Sequence, residues 1–127
     1  MLSDTQAFSS FAVDDLEKAH DFYGGTLGLR TTRHDRFPLL TLHLEGGCET
    51  KVYERPDFTP ATYTVLNFVV DDIEAAVDAL AAKGLTFERY DGLGQDEKGI
   101  ARGNGPSIAW FTDRARNILA VLEEAKP

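Results

Sequence analysis

Hydrophobic and polar positions follow the same order in two successive blocks of the chain. Each block opens with a short run of aromatic, β-branched and small residues, Phe8–Val13 and Val65–Val70, which predicts a β-strand. Two aspartates follow each run, and apolar positions then recur every three or four residues. This pattern predicts two amphipathic helices, because an aspartate can accept hydrogen bonds from the free N–H groups of a first helical turn.

Each predicted helix has one apolar face and ends at a glycine. The two faces consist of Leu16, Ala19, Phe22, Tyr23 and Leu27 in the first helix, and Ile73, Ala76, Val77 and Leu80 in the second. Gly28 and Gly84 follow the helices at the position where a residue with positive φ commonly ends a helix. Both helices are therefore expected to pack one face on a sheet.

Further strands are predicted after each helix. They cover residues 30–35, 37–44 and 49–54 in the first half, and 86–90, 100–102, 108–112 and 118–123 in the second. Residues 56–62 contain Pro56 and Pro60 and predict a linker. We therefore expect an α+β domain over residues 1–127, made of two βαβββ modules at about 5–55 and 63–124.

The two halves also resemble one another residue by residue. When residues 8–19 are aligned with 65–76, Phe, Val, Asp, Asp, Glu and Ala recur at matching positions. Because the identities share one fixed offset, they indicate an internal repeat rather than two unrelated helices.

Charge and cysteine content limit the partners. The 127 residues include 13 basic and 21 acidic side chains, for a net charge of −8, which argues against nucleic acid and anionic membranes as partners. The charge either serves solubility alone or attracts a cationic ligand. With Cys48 as the single cysteine, no internal disulfide can form. No apolar run approaches a membrane span and no secretory signal is visible, so we expect a soluble cytoplasmic protein.

The segment Asp91–Ser107 is rich in glycine. Its spacing lacks the Lys-Ser/Thr pair and the following helix of a phosphate-binding loop, which argues against nucleotide binding. Two interpretations remain for this segment. It is either a mobile loop that covers a pocket or a simple surface loop.

Two motifs carry a family resemblance. Residues 13–23 read VDDLEKAHDFY and residues 111–118 read FTDRARNI. With the repeated βαβββ unit, they resemble the glyoxalase / bleomycin-resistance / extradiol-dioxygenase superfamily, the vicinal oxygen chelate fold, over nearly the whole chain. Arg114 and Arg116 stand where that family usually has Pro and Gly. The resemblance implies a cup-shaped mixed sheet with helices outside, and a homodimer.

The resemblance also implies where a metal would bind. Metal-dependent members place a His, Gln or Glu on the first strand of each half and a carboxylate on the last. The matching positions here are Phe8, Val65, Ala120 and, within one residue, Lys51. None of them is an imidazole or carboxylate donor, so the chain resembles the metal-free branch and we expect no metal and no cofactor.

Strand alternation and residue type give the candidate ligand contacts. Positions that would face the cup, together with groups able to hydrogen-bond or stack, are Phe8, Ser10, His43, Tyr53, Val65, Asn67, Trp110 and Ala120. The leading interpretation is a small-molecule-binding protein, for a cationic or aromatic ligand such as a bleomycin-like antibiotic. The alternatives are a lyase, isomerase or dioxygenase-like enzyme, with or without metal, and a non-catalytic dimer in which these side chains fill a closed core.

Overall fold

The computed structural model describes residues 1–103 and 105–125. The chain divides into two compact units, Met1–Pro60 and Ala61–Pro127, and the division falls inside the segment predicted as a linker. Both units combine a sheet with one main helix, so the fold class is α+β, as predicted.

The first unit has the predicted βαβββ order. Its elements are β1 (Ser9–Val13), α1 (Leu16–His20) continued by a π-helical turn (Asp21–Thr26), β2 (Arg30–Arg33), β3 (Leu39–His43) and β4 (Glu49–Glu54). The sheet order is β1-β4-β3-β2. The first strand pairs in parallel with the last, while β2, β3 and β4 form an antiparallel meander.

The second unit repeats this topology with one strand fewer. Its elements are β5 (Thr64–Val69), α2 (Ile73–Ala82), β6 (Ser107–Thr112) and β7 (Ile118–Glu123), and its sheet order is β5-β7-β6. Again the first strand pairs in parallel with the last, and β6 pairs antiparallel with β7.

The strand predicted at residues 86–90 is absent. The Glu88 N–H donates to the Trp110 carbonyl of β6 at 2.7 Å, as a strand paired with β6 would do. The neighbouring backbone groups, however, bind a side chain instead of a strand. Gln95 donates from Nε2 to the Glu88 carbonyl at 2.8 Å and accepts from the Tyr90 N–H at 2.7 Å. The strand predicted at 100–102 is likewise reduced to a single bridge between Ala101 and Ile108. The sequence pattern could not reveal that an amide side chain replaces a strand partner.

The glycine-rich segment is tied to itself and to α2. Asp96 Oδ1 accepts from the N–H groups of Ile100 and Lys98 at 3.0 and 2.9 Å. The Ile100 N–H in particular holds the pKa of the Asp96 carboxyl below its usual value. Lys98 Nζ lies 3.1 Å from Asp78 of α2, and Arg89 donates to the Asp96 carbonyl at 2.7 Å. The lid function of this segment stays a prediction.

The predicted aspartate N-caps are confirmed in both units. The Asp15 carboxylate accepts from the Lys18 N–H at 3.1 Å, and the Asp72 carboxylate accepts from the Ala75 N–H at 3.2 Å. Each bond satisfies one N–H that the helix itself cannot pair.

A second carboxylate binds each helix from the sheet. At the end of the last strand of each unit, Glu54 accepts from the Leu16 N–H at 2.8 Å and Glu123 accepts from the Ile73 N–H at 3.0 Å. Each glutamate therefore joins the end of a strand to the start of a helix, where negative charge is favourable.

The helix-facing sides of the two sheets form the cores. The buried residues there include Phe11, Val13, Leu40, Leu42 and Val52 in the first unit, and Ala109, Phe111, Leu119 and Val121 in the second. The predicted helix faces supply Leu16, Ala19, Phe22 and Tyr23 to one core and Ile73 and Val77 to the other. Leu27, Ala76 and Leu80 are only half-buried.

The turn between β6 and β7 is built on a buried carboxylate. Asp113 is 5% exposed, and its Oδ1 accepts from the N–H groups of Ala115 and Asn117, both at 2.9 Å. These bonds bring Arg116 to a φ of 73°, which is the left-handed region that favours glycine. Arg116 therefore carries backbone strain at this turn.

We expect Asp15→Ala and Asp72→Ala each to lower the free energy of unfolding by about 1 kcal/mol, because each removes an N-cap. Urea unfolding followed by circular dichroism measures the loss. The neighbouring Asp14→Ala and Asp71→Ala are matched controls that remove the same charge without a cap, and should change the stability by less than about 0.5 kcal/mol. Equal losses in caps and controls would show that charge, not capping, stabilises the helices.

We expect Arg116→Gly to raise the free energy of unfolding by about 0.5–1 kcal/mol. Glycine removes the strain of the left-handed conformation, about 1–2 kcal/mol, but increases the entropy of the unfolded chain by somewhat less. Arg116→Ala is the control, since alanine keeps the strain and should give no gain. Thermal unfolding of the three proteins compares them, and a stabilised alanine variant would contradict a backbone origin.

Candidate functional site

One face of the first sheet is free of the helix. Phe11 and Val13 point toward α1 and the π-helical turn that continues it, where the Phe11 and Tyr23 ring centroids lie 5.9 Å apart. Alternate residues therefore point to the opposite side, which we call the open face of the first unit. The cross-strand rows on this face are Ser10–Lys51–Thr41–Thr32, Glu49–His43–Arg30 and Ala12–Tyr53–Leu39.

A continuous polar network crosses the open face of the first unit. Lys51 Nζ donates to Thr41 Oγ1 at 3.0 Å and lies 3.4 Å from Glu49 Oε1. The other oxygen of Glu49 lies 3.6 Å from His43 Nδ1, and His43 Nε2 lies 2.7 Å from Thr32 Oγ1. We call these five side chains the polar network; it places a base, a carboxylate, a cation and two hydroxyl groups side by side.

An exposed aromatic ring borders this network. Phe8 is 60% exposed, and the Lys51 ammonium lies 5.2 Å from its ring centroid. Ser10 is also exposed, and Tyr53 is half-buried on the same face. Four of the predicted ligand contacts, Phe8, Ser10, His43 and Tyr53, are therefore on one surface of the first unit.

A cleft of about 280 Å³ opens at the end of this face, beside the β3–β4 turn. It is lined by Arg30, His43, Leu44, Glu45, Gly46, Gly47, Cys48 and Glu49. The turn needs its two glycines, because Gly46 and Gly47 have φ values of 84° and 79°. The cleft is large enough for a small organic group and most of its side chains are polar.

The second unit presents three of the remaining predicted contacts in one row. Asn67, Ala120 and Trp110 are direct cross-strand partners, so their side chains share a face. Asn67 is exposed and Trp110 is half-buried, whereas Ala120 is fully buried and offers no surface to a ligand in this structure. Tyr90 packs edge-on against Trp110 with 5.5 Å between ring centroids. Val65 lies at an irregularity between the paired residues Thr64 and Leu66.

Several members of the first site are absent from the ligand contacts predicted from the sequence, Thr41 among them. Thr32, Glu49 and Arg30 were not candidates, because their role depends on the register that sets them beside His43. Alternation within β2 and β4 was a usable signal for their shared face, but the strand pairing was not available from the pattern.

The positions where the family resemblance implied metal ligands hold other side chains. Phe8 is exposed beside Lys51, Val65 lies at the strand irregularity, and Ala120 is buried. Within residues 1–103 and 105–125, no group of three or more His, Cys, Asp or Glu side chains is arranged to hold a metal ion. Over the same residues, no helix has both the length and the apolar character needed to cross a membrane.

Solved structures share this fold over nearly their whole length. An antibiotic-binding protein, TnmS3, from Streptomyces sp. CB03234 has a TM-score of 0.71 at 21% identity, covering 96% of this chain and 98% of that one. A fosfomycin resistance protein, FosX, from Listeria monocytogenes has a TM-score of 0.71 at 12% identity, covering 96% and 92%. A glyoxalase family protein from Bacillus anthracis has a TM-score of 0.69 at 17% identity, covering 95% and 97%.

At these identities the structural likeness establishes the fold and not the ligand. No curated protein shows significant similarity to the sequence. The sequence profile of the Glyoxalase/Bleomycin resistance protein/Dioxygenase superfamily, however, matches residues 6–121. Since this match spans both units, the chain belongs to that superfamily.

Proposed function

We propose that this protein binds a small organic molecule on the open face of its first unit, without a metal ion. The observation that carries the proposal is the exposed Phe8 ring beside the polar network, with the Lys51 ammonium over its face. Small-molecule sites combine apolar contact surface with convergent polar groups, and here Phe8 supplies the first and the polar network the second. That a protein with this fold, TnmS3, binds an antibiotic supports the proposal.

The charges on this face indicate which ligands fit. Arg30 and Lys51 present cations and the exposed Thr32 presents a hydroxyl group, so oxygen acceptors on a ligand would find donors. Phe8 offers a surface for an aromatic ring. We therefore propose a flat aromatic ligand that carries hydroxyl or carbonyl groups, and include bleomycin-like glycopeptides among the compounds to test. The net charge of −8 supports a ligand with an additional cationic group.

The corresponding face of the second unit supports a stacking role for Trp110. Its indole is half-buried against Tyr90 and shares a face with the exposed Asn67 amide. As the single tryptophan of the chain, Trp110 is a specific fluorescent probe of this face. Homodimerisation and a cytoplasmic location stay predictions from the sequence.

We expect a binding compound from a panel of aromatic antibiotics to give a saturable heat signal in calorimetry, unchanged by EDTA. Phe8→Ala should weaken that binding about tenfold, or about 1.4 kcal/mol, because the stacking surface is lost. Phe37→Ala is the matched control, since Phe37 is a similarly exposed ring, at 61%, that packs on His34 in the β2–β3 loop. Equal losses in both variants, or binding only after divalent metal is added, would contradict the proposed site.

We expect alkaline titration to show that Tyr90 ionises above the ordinary range. Burial, and then the negative charge of Glu88, raise the pKa of the Tyr90 phenol, since both disfavour the phenolate. Phenolate formed against the indole should quench Trp110 fluorescence. Glu88→Gln should move this transition to lower pH, and Tyr90→Phe should abolish it. A transition that survives in Tyr90→Phe would assign the quenching to another group.

A further inference from the structure

Three side chains of the polar network are ordered as a hydroxyl, a base and a carboxylate. Thr32 Oγ1 lies 2.7 Å from His43 Nε2, within hydrogen-bond reach. The other ring nitrogen, Nδ1, lies 3.6 Å from Glu49 Oε2. His43 thus has a hydroxyl within hydrogen-bond reach of one ring nitrogen and a carboxylate near the other, at a separation longer than a hydrogen bond. Nucleophilic sites on unrelated folds use the same order of three groups, and their hydrogen bonds are often long before substrate binds.

The fold places these groups on three adjacent strands. Glu49 of β4 and His43 of β3 are direct cross-strand partners, and Thr32 of β2 is diagonal to His43 on the same face. Because all three are on sheet strands rather than on a loop, their spacing is set by backbone register. Thr32 is exposed, so its hydroxyl is open to a substrate.

A cleft for a substrate lies next to Thr32, His43 and Glu49. His43, Glu49 and Arg30 line the 280 Å³ cleft, and the exposed Thr32, bonded to His43, lies outside its lining. Arg30 pairs with His43 in the strand register, and its guanidinium makes no hydrogen bond or ion pair within residues 1–103 and 105–125. Lys51 is in the same cross-strand row as Thr32. Arg30 is thus the cation available to an oxygen that gains negative charge during a reaction, whereas Lys51 is already bound to Thr41 and Glu49.

We propose that Thr32, His43 and Glu49 form an acyl-transfer site that acts on activated esters of small carboxylic acids. Thr32 Oγ attacks the ester carbonyl carbon while its proton passes to Nε2 of His43. The bond to the alcohol oxygen then breaks, and the leaving oxygen departs with the bonding electrons. A basic leaving group takes up the proton from His43, whereas a stable anion such as p-nitrophenolate departs without it and His43 releases the proton to water, so the imidazole is neutral again before the next step. Water attacks the resulting Thr32 ester, His43 accepts its proton and returns it to Thr32 Oγ, and the acid is released.

In this site Thr32 and His43 are catalytic residues and Glu49 is a positioning residue. The inference goes beyond ligand binding, which depends on Phe8 and can hold when the acyl transfer fails. A hydroxyl-to-histidine contact could also be a purely structural bond, and the two cases differ in whether Thr32 becomes acylated.

The test uses the full chain and p-nitrophenyl acetate as the probe. We expect a burst of p-nitrophenolate, and peptide mapping with fragmentation that separates Thr31 from Thr32 should find one acetyl group on Thr32. Thr32→Val should lose that acetyl group and Thr32→Ser should retain it. Thr31→Val is the matched control, because Thr31 points to the opposite face of the sheet. This variant should be acetylated on Thr32 like the wild-type protein.

The roles of His43 and Glu49 are separated by rate. His43→Gln should slow acetylation of Thr32 about 100-fold, the lower end of the contribution of a general base. Glu49→Gln should slow acetylation while the KM for the ester stays unchanged, which a merely structural role would not produce.

Acetyl groups found only on Cys48 or Lys51, or an undiminished Thr32 product in His43→Gln, would overturn the proposal. Calorimetric binding to the Phe8 surface, measured on the wild-type protein with the antibiotic panel, shows separately whether the binding function stands.

Discussion

Both units depend on the hydrogen bond that joins the end of the last strand to the first turn of the helix. In each, the first and last strands run parallel, and a glutamate at the end of the last strand accepts from the first N–H of the helix. The N-cap aspartate, Asp15 or Asp72, satisfies a further N–H two positions on. Two carboxylates therefore neutralise the positive end of each helix and fix the direction in which it leaves the sheet.

This joint decides which sheet face is free for chemistry. In the first unit, once α1 is fixed by Glu54, its apolar residues cover the side of the sheet that carries Phe11 and Val13. The other side keeps its alternate residues uncovered by the helix, and these include His43 and Lys51 of the polar network. Sheets with antiparallel strands commonly pack one face on the core and leave the other, more polar face to solvent.

Much of this fold could be predicted from the sequence because the determining signals are local. Apolar periodicity, the paired aspartates and the closing glycines lie within a few residues of the elements they set, and all appear twice. The strand expected at 86–90 was wrong because Gln95, which is five residues beyond it, takes its backbone groups. No periodic pattern encodes such a side-chain bond.

The candidate site was predicted less completely. His43 was identified by residue type alone, but its neighbours Thr32 and Glu49 come from other strands and join it only through register. Arg116 is a further case, where the family usually has glycine and the turn forms with a strained φ of 73° because Asp113 holds it. Contacts between distant positions and tolerated strain both arise from tertiary structure, so local pattern does not report them.

The open face of the first unit is proposed to bind its ligand without a metal ion. A crystal structure of the protein grown with the tightest-binding compound of the antibiotic panel, in the presence of EDTA, tests it most directly. We expect electron density for the compound against Phe8, with its oxygen atoms within hydrogen-bond distance of Lys51 or Thr32. Density for the compound on another surface, with this face occupied only by water, would contradict the claim.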